Sequence, residues 1–270
     1  MAFPTTAATP VTTTPPGEPD PRAIRVLGAT KSYGPAVVLD AVDLDIAQGQ
    51  FVSVIGASGC GKTTLLRCIA GLESLTDGRI RVGGRPRTAP GGDCVYVFQD
   101  YSRSLFPWRT LERNVSFPLE ARLGRRRAVE EAQRWIALVG LDGAQRKHPW
   151  QMSGGMQQRA AIARALAAKP SVLLMDEPFA AVDAQTRMQL QSTLLEIHAA
   201  LGITVVFVTH DVDEAVYLAD RVVVLSPETH GIVDDVPVAL PRPRSQRSTR
   251  ASAEFLAHRS RLLGHLGMDA

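Results

Sequence analysis

The chain has 270 residues, which is long enough for one large domain or two small ones. Hydrophobic residues make up 45% and charged residues 21%, so the composition excludes a fibrous or a wholly disordered protein. Lys and Arg total 30 against 27 for Asp and Glu, and the resulting net charge of +3 is too small to indicate nucleic-acid binding by itself.

The cysteines and the apolar runs bear on the compartment in which the protein works. Cys60, Cys68 and Cys94 are odd in number and lack paired spacing, so they fit neither a disulfide framework nor a zinc site and favour a reducing cytosol. The apolar runs are strand-length, whereas a membrane-spanning helix needs about 20 apolar residues. The first residues also lack the basic start and apolar core of a signal peptide. We therefore expect a soluble protein that reaches a membrane only through a partner.

From the N-terminus onward, the pattern changes from a polar tail to a folded domain. Residues 1–21 are rich in Pro and Thr and contain no Lys or Arg, which predicts a disordered tail. Apolar periodicity then predicts strands at residues 23–27, 37–39, 42–46, 51–55, 79–82, 94–98, 171–175, 203–209 and 221–225. Helices are predicted at residues 62–70, 126–139, 155–168, 185–201 and 212–219.

Buried strands that alternate with helices predict a parallel α/β sheet in a domain that spans residues 22–240. Its mostly helical middle, about 110–166, is predicted to be an inserted subdomain. Residues 241–250 are rich in Pro, Arg and Ser, which predicts a linker before a short helix at 253–266. We interpret the arginines at 125–127 and 242–250 as a solvated face, with contact to anionic lipid headgroups as the alternative.

A glycine-rich loop is the first motif that carries chemistry. It fits G-x-x-x-x-G-K-[ST] at every fixed position, between a predicted strand and a predicted helix, and comprises Gly56, Ala57, Ser58, Gly59, Cys60, Gly61, Lys62 and Thr63, followed by Thr64. Its glycines let the backbone N–H groups and the helix N-terminus face phosphates. Lys62 is expected to reach the β- and γ-phosphates, and the Thr63 hydroxyl to ligate Mg²⁺. The motif predicts nucleotide binding, against the alternative of a glycine-rich turn that matches by chance.

Two carboxylates follow the apolar strand predicted at 171–175. Asp176 is expected to hold Mg²⁺, directly or through water, and Glu177 to orient and polarise the attacking water. Acidic residues at the end of a strand can also simply promote solubility. The pair indicates a catalytic site only in combination with the phosphate loop earlier in the same chain.

Ser153-Gly154-Gly155, directly before a predicted helix, forms a second N-terminus suited to binding an anion. One nucleotide needs only one phosphate loop from its own chain, so a second such segment suggests a site shared between chains. The alternative is an ordinary helix start with Ser153 as its N-cap.

Taken together, these motifs resemble the ATP-binding subunit of ABC transporters over residues 22–226. The resemblance implies a P-loop NTPase fold, with a RecA-like core, an antiparallel β subdomain and an inserted α-helical subdomain. Gly56–Thr63 then resembles Walker A, residues 173–176 resemble Walker B, and Glu177 resembles the catalytic glutamate. Ser153–Gly155 resembles the signature motif, which in this family clamps the γ-phosphate of the ATP held by the opposite subunit.

Single residues at four further positions follow the family's order, and the resemblance implies a role for each. Gln99 matches the Q-loop glutamine, which contacts Mg²⁺ and water and senses the transmembrane partner. Asp183 matches the D-loop, and His210 matches the switch histidine. Tyr33 occupies the position where the family stacks an aromatic ring on adenine. The ordinary alternatives are a strand aromatic for Tyr33, a strand-end polar residue for Gln99 and a core or cap histidine for His210.

The segment from Ser104 to Val115 resembles the sequence after the Q-loop in importers for nitrate, aliphatic sulfonates and taurine. Phe106 and Trp108, on either side of Pro107, are expected to help form a groove for a coupling helix of the permease. The alternative is a buried aromatic turn without a partner.

The resemblance implies an ATP-hydrolysing subunit that energises a prokaryotic importer of a small oxyanion such as an aliphatic sulfonate, taurine or nitrate. It implies ATP and Mg²⁺ as cofactors, and a head-to-tail second copy and transmembrane permease subunits as partners. A periplasmic or lipid-anchored solute-binding protein is an indirect partner, and no nucleic acid is implied. The implied location is the cytoplasmic face of the cell membrane, held there by the permease. The alternatives are the ATPase of a lipid or drug exporter, or a soluble ABC ATPase that acts on DNA or ribosomes.

Overall fold

The structure is a computed structural model that describes residues 22–100, 104–180 and 182–267, so the predicted tail at 1–21 lies outside the described residues. Four strands form an antiparallel sheet: β1 (Arg22–Tyr33), β2 (Ala36–Ala47), β4 (Asp77–Val82) and β5 (Arg85–Pro86). Their order in the sheet is β2-β1-β4-β5.

A six-stranded sheet forms the centre of the domain and comprises β3 (Phe51–Gly56), β6 (Cys94–Val97), β7 (Val172–Asp176), β8 (Thr204–Val208), β9 (Arg221–Leu225) and β10 (Ile232–Pro237). The order of the strands is β10-β9-β3-β8-β7-β6. All strand pairings in this sheet are parallel except that of the edge strand β10, which pairs with β9 in antiparallel orientation. Every residue of β3, β7 and β8 is buried, as expected of parallel strands covered on both faces. The predicted parallel α/β sheet is confirmed.

The helices are α1 (Lys62–Ala70), α2 (Leu111–Leu123), α3 (Arg125–Leu138), α4 (Gly154–Ala167), α5 (Ala184–Leu201), α6 (Val212–Leu218) and α7 (Ala253–His265). Helices α2 and α3 pack together and against α4, and form the helical part of the chain between β6 and β7. A 3-10 turn at Pro149–Gln151 precedes α4. Among the described helices, none combines the length and the apolar character that a membrane crossing requires.

The strand predictions differ from the structure at several places. The strand predicted at 23–27 extends to Tyr33 in β1, and the short strand β5 was not predicted. Residues 37–39 and 42–46 belong to one strand, β2, which continues through the exposed residues Asp40 and Ala41, with Ala41 at a φ of 45°. Strand β10 was not predicted, because its paired Asp234 and Asp235 interrupt the apolar pattern. It forms nevertheless, since it pairs with the buried strand β9 and covers the edge of the sheet.

Residues 241–250, for which the composition predicts a linker with a solvated face, are instead hydrogen-bonded to the domain. The Arg242 guanidinium pairs with Asp220 at 2.6 Å between Nη2 and Oδ1. Arg244 Nη1 donates to the backbone oxygens of Tyr217 and Ala219 at 2.8 and 2.9 Å. These partners lie more than 20 residues away in sequence, so a local compositional reading does not detect them. In contrast, the arginines at 125–127 are exposed, as predicted.

Candidate functional site

The carboxyl ends of four neighbouring strands assemble a cleft at one edge of the six-stranded sheet. Because β8 lies between β3 and β7, and β6 follows β7, the residues after these strands become neighbours although the chain separates them widely. The cleft has a volume of about 450 Å³ and is lined by Val38, Ser58, Gly59, Gly61, Lys62, Thr63, Thr64, Gln99, Glu177 and His210. We call it the phosphate cleft.

The loop between β3 and α1 requires glycine at two positions. Gly61 has a φ of 98°, and a Cβ there would lie 2.8 Å from the backbone oxygen of Val38. A Cβ on Gly56 would lie 2.4 Å from the backbone oxygen of Leu225 and 2.6 Å from Cys60 Sγ. Cys60 is fully buried beneath the loop, so its side chain does not face the phosphate cleft.

Lys62 and the start of α1 provide the positive end of the phosphate cleft. The Lys62 side chain is buried, and its Nζ donates to the backbone oxygens of Gly56 and Ala57 at 2.8 and 2.9 Å. No side chain caps the N-terminus of α1, whose N-cap is Gly61. The first N–H groups of the helix, at Lys62, Thr63 and Thr64, are therefore available to an anion, which the helix dipole also favours.

A hydroxyl and a carboxylate with metal-binding chemistry meet beside Lys62. Thr63 Oγ1 donates to Asp176 Oδ1 at 3.1 Å, and the second carboxylate oxygen accepts from the Tyr96 hydroxyl at 2.9 Å. Burial raises the pKa of Asp176, while the hydrogen bonds from Tyr96 and Thr63 act in the opposite direction. These hard oxygen donors fit Mg²⁺, which takes one or two protein ligands together with phosphate oxygens and water. The sequence did not single out Tyr96.

Glu177 is held from two sides by residues that follow neighbouring strands. Its Oε2 accepts from Gln99 Nε2 at 3.0 Å and lies 3.3 Å from His210 Nδ1. The Glu177 backbone has a φ of 44°, a left-handed conformation that costs free energy in a residue other than glycine. Its N–H donates to the backbone oxygen of Val208 at 2.9 Å, which ties the end of β7 to the end of β8. This cluster can accept a proton from a water molecule and keep the accepting carboxylate in one orientation.

Ser153, Gly154 and Gly155 do not line the phosphate cleft of their own chain, and neither does Asp183. Ser153 is the N-cap of α4, and its Oγ accepts from the Met156 N–H at 3.3 Å. Asp183 caps α5 in the same way through the Thr186 N–H at 3.0 Å, and hydrogen bonds from this helix start lower the pKa of Asp183. Both segments are helix N-termini that one copy of the chain does not bring to its own Lys62.

Tyr33 also lies outside the lining of the phosphate cleft. Its ring is half exposed, its hydroxyl donates to Glu73, and Lys31 Nζ lies 4.8 Å from the ring centroid. The hydrogen bond to Glu73 raises the pKa of Tyr33. An exposed ring beside the phosphate loop is suited to stacking on a flat partner.

A second concavity, the aromatic groove, lies between β6 and the helical part of the chain. It has a volume of about 310 Å³ and is lined by Val95, Tyr96, Val97, Phe98, Ser104, Phe106, Phe117, Pro118, Ala161, Arg164, Ala165 and Ala168. Trp108, beside Phe106 with a centroid distance of 5.6 Å, is 73% exposed, so the predicted alternative of a buried aromatic turn is wrong for this residue.

Asn114 fixes the loop that carries these aromatic residues. It is fully buried, its Oδ1 accepts from the Phe106 N–H at 2.8 Å, and its Nδ2 donates to the backbone oxygens of Phe106 and Arg109 at 3.1 Å. This explains in physical terms why an asparagine follows the aromatic segment.

Comparisons with known proteins agree with this architecture. A family model described as ABC transporter matches residues 39–180. An uncharacterised ABC transporter ATP-binding protein of Methanocaldococcus jannaschii is 50% identical over 84% of this chain and 84% of its own. An aliphatic sulfonates import ATP-binding protein of Bacillus cereus is 43% identical over 81% and 86%. A bicarbonate transport ATP-binding protein of Synechococcus elongatus is 46% identical over 86% of this chain and 35% of its own greater length.

Solved structures give the same result. The dimeric structure of the ABC transporter cassette MJ0796 is 30% identical and superposes with a TM-score of 0.72 over 80% of this chain and 98% of that one. A second structure of this cassette, with the same score and coverage, is a post-hydrolysis state bound to ADP and Pi. The chain belongs to the ABC transporter family, as an ATP-binding subunit of the importer type whose ATP hydrolysis is coupled to transport.

Proposed function

We propose that this subunit energises the import of a small oxyanion, such as an aliphatic sulfonate, taurine or nitrate, or bicarbonate. The support comes from relatives named for aliphatic sulfonates and for bicarbonate, whose substrates share a compact, negatively charged oxygen group. We further propose that the subunit works at the cytoplasmic face of the cell membrane, attached to the permease, and that a solute-binding protein delivers the solute.

The observation that carries the mechanism is the position of Glu177 beside the phosphate loop. Lys62 and the N–H groups at the start of α1 bind the phosphates of ATP, the substrate. Glu177 takes a proton from the attacking water, while Gln99 and His210 keep its carboxylate in place. Tyr33 stacks on the adenine.

Thr63, Asp176 and Gln99 would hold Mg²⁺ in this mechanism. When bound, the ion neutralises charge on the phosphate oxygens. Thr63 and Asp176 already have their oxygen atoms 3.1 Å apart, and Tyr96 fixes the second oxygen of Asp176.

Replacing Tyr96 tests this metal site through pH. Tyr96→Phe removes a hydrogen bond that favours the ionised form of Asp176, so the pKa of Asp176 rises further. Protons then compete with the ion at a higher pH, because Mg²⁺ binds the carboxylate form. We expect the pH midpoint of Mg²⁺-dependent ATP binding to move upward, as measured with a fluorescent ATP analogue. An unchanged midpoint would exclude Asp176 as the ligand, and binding without Mg²⁺ is the control.

Each site is completed by a second copy of the chain in head-to-tail orientation. Ser153, Gly154 and Gly155 and the Asp183 segment are two helix N-termini that do not line the phosphate cleft of their own chain, and a partner brings them to it. Closure of the dimer then moves the attached permease between inward- and outward-facing states, and hydrolysis reopens it.

The aromatic groove is the surface that fits a coupling helix of the permease. Its apolar walls carry Phe98 and Phe117, which are 41% and 45% exposed, and large apolar side chains grouped in this way on a surface mark an interaction site. The groove begins one residue before Gln99, so an occupant would lie close to the Glu177 cluster. This connects transport with hydrolysis.

Purification from solubilised membranes tests the transport proposal. We expect the tagged chain to retain a multi-spanning permease, and the complex to hydrolyse ATP faster when its binding protein is loaded with one of the four solutes. Phe117→Glu should release the permease because it brings a charge into the groove. Leu201→Glu, at a similarly exposed position on α5, should not. Recovery with DNA or ribosomes, or with a lipid or drug exporter, would overturn the import proposal while leaving the ATPase standing.

A further inference from the structure

His210 lies two residues before the start of α6, a helix that is too short to be stable by itself. Helix α6 has seven residues, whereas isolated helices below about 12–15 residues are marginal in water. The orientation of His210 therefore depends on what packs around α6. The structure provides two sets of contacts, one at each end of the helix.

At the N-terminal end, a buried carboxylate fixes the residues on both sides of His210. Glu214 Oε2 accepts from the Thr209 hydroxyl at 2.8 Å, and the Thr209 oxygen accepts from the Asp211 N–H at 3.0 Å. Asp211 in turn caps the helix by accepting from the Glu214 N–H at 3.1 Å. His210 thus lies between two residues that both belong to one closed ring of hydrogen bonds.

Glu214 is itself held by a residue of α5. Its Oε1 accepts from Gln191 Nε2 at 3.1 Å, and Gln191 and Glu214 are 1% and 5% exposed. Arg187 Nε lies 3.8 Å from the same oxygen. A buried carboxylate that loses a hydrogen-bond donor is destabilised, so the Gln191 amide must present its nitrogen to Glu214.

The C-terminal segment, residues 241–259, determines which way the Gln191 amide points. Gln246 Nε2 and Arg250 Nη2 both donate to Gln191 Oε1 at 3.1 Å. Because both are donors, the amide oxygen must face them, and its nitrogen is thereby directed to Glu214. The hydrogen bonds therefore run in one sense, from residues 246 and 250 through Gln191 to Glu214.

The same segment also contacts α6 directly. Arg244 satisfies two backbone oxygens at the C-terminal end of the helix, at Tyr217 and Ala219. The Arg250 guanidinium lies 5.0 Å from the ring centroid of Tyr217, and Arg259 Nε donates to Asp213 at 2.8 Å in the first turn. Neither Gln191, Glu214 nor Arg250 lines the phosphate cleft, so direct contact with nucleotide does not explain this arrangement.

We propose that the C-terminal segment, residues 241–259, is part of the hydrolysis machinery, and that Arg250, Gln191 and Glu214 are positioning residues that orient His210 toward Glu177. This inference rests on the role of His210 in the proposed function. It assigns a task to a part of the chain that follows the predicted ATPase domain and whose composition resembles a linker.

Two variants interrupt the connection at different points. Gln191→Leu removes the donor to Glu214, and Arg250→Met removes a donor to Gln191 while keeping a long apolar side chain. We expect Gln191→Leu to lower kcat about tenfold, the lower end of the loss found when a partner that orients a metal-binding side chain is removed, and Arg250→Met to lower it less. KM for ATP and equilibrium ATP binding should stay unchanged, and Arg250→Lys should restore part of the rate. Arg261→Met is the matched control, since Arg261 pairs with Asp234 on β10.

A double-variant comparison separates positioning from general stability. With His210→Ala already present, Gln191→Leu should cause no further loss, because there is no histidine left to orient. A further tenfold loss in that background, a parallel loss of ATP binding, or wild-type kcat in both single variants would overturn the inference. If His210→Ala alone hydrolyses at the wild-type rate, the proposed role of His210 fails first. Melting temperatures of all variants identify any that do not fold.

Discussion

Glu177→Gln is expected to reduce ATP hydrolysis about 10³-fold, within the range for loss of a general base. The amide keeps the shape of the carboxylate. Its oxygen can still accept a hydrogen bond from Gln99 Nε2, which lies 3.0 Å from Glu177 Oε2 in the unmodified protein. It cannot take the proton from water. Because Lys62 and the start of α1 are untouched, ATP still binds, and the dimer that it closes should persist.

Phosphate release and light scattering measure the two parts of this expectation. Glu228→Gln is the control, since Glu228 is an exposed carboxylate on another loop that accepts from the Ser226 hydroxyl. A Glu177→Gln variant that hydrolyses ATP at the wild-type rate would contradict the assignment of Glu177. A slow variant that never dimerises with ATP would contradict the account of dimer closure.

Ser153→Arg is expected to abolish hydrolysis while the isolated chain binds ATP with unchanged affinity. The arginine brings bulk and charge to a helix start that we propose completes the phosphate cleft of the second copy, and it leaves Lys62 of its own chain intact. The variant also loses the cap hydrogen bond to Met156, at a cost of about 1 kcal/mol.

Ser153→Ala separates these two effects, because it loses the same cap without adding bulk or charge. We expect both variants to melt at similar, slightly reduced temperatures, and only the arginine variant to remain monomeric with ATP when combined with Glu177→Gln. If Ser153→Arg loses ATP binding in the isolated chain, the serine has a structural role only.

The residues of the candidate site could be singled out from the sequence because they lie in short segments. The glycine loop, the carboxylate pair and the Ser153-Gly154-Gly155 helix start each have a physical reason that depends on neighbours in sequence. The order of the strands in the sheet could not be predicted in this way, because pairing between strands that are distant in sequence does not depend on local residues. Only the order β3-β8-β7-β6 explains why Gln99, Glu177 and His210 touch.

The parts that could not be predicted depend on long-range partners. In the sequence, Tyr96 is an ordinary strand residue. Its role is visible only in the structure, where β6 pairs with β7 and brings the Tyr96 hydroxyl to Asp176. Arg244 belongs to a segment whose composition predicts a charged linker. In the structure, its guanidinium donates hydrogen bonds to the backbone oxygens at the end of α6. In both cases the residue type is common in its local setting, and only the tertiary contact gives it a specific task.

Mixing two inactive variants tests most directly whether the site is shared between two copies. Lys62→Ala disables one copy's phosphate loop, and Ser153→Arg disables the other copy's helix start, so a mixed head-to-tail dimer retains one intact site. We expect each variant alone to be inactive and an equal mixture to recover between about a quarter and about half of the wild-type rate. Random pairing gives about a quarter, because about half of the chains are then in mixed dimers with one intact site each, and a preference for the mixed dimer raises this share. A mixture no more active than its separate components would contradict the shared site.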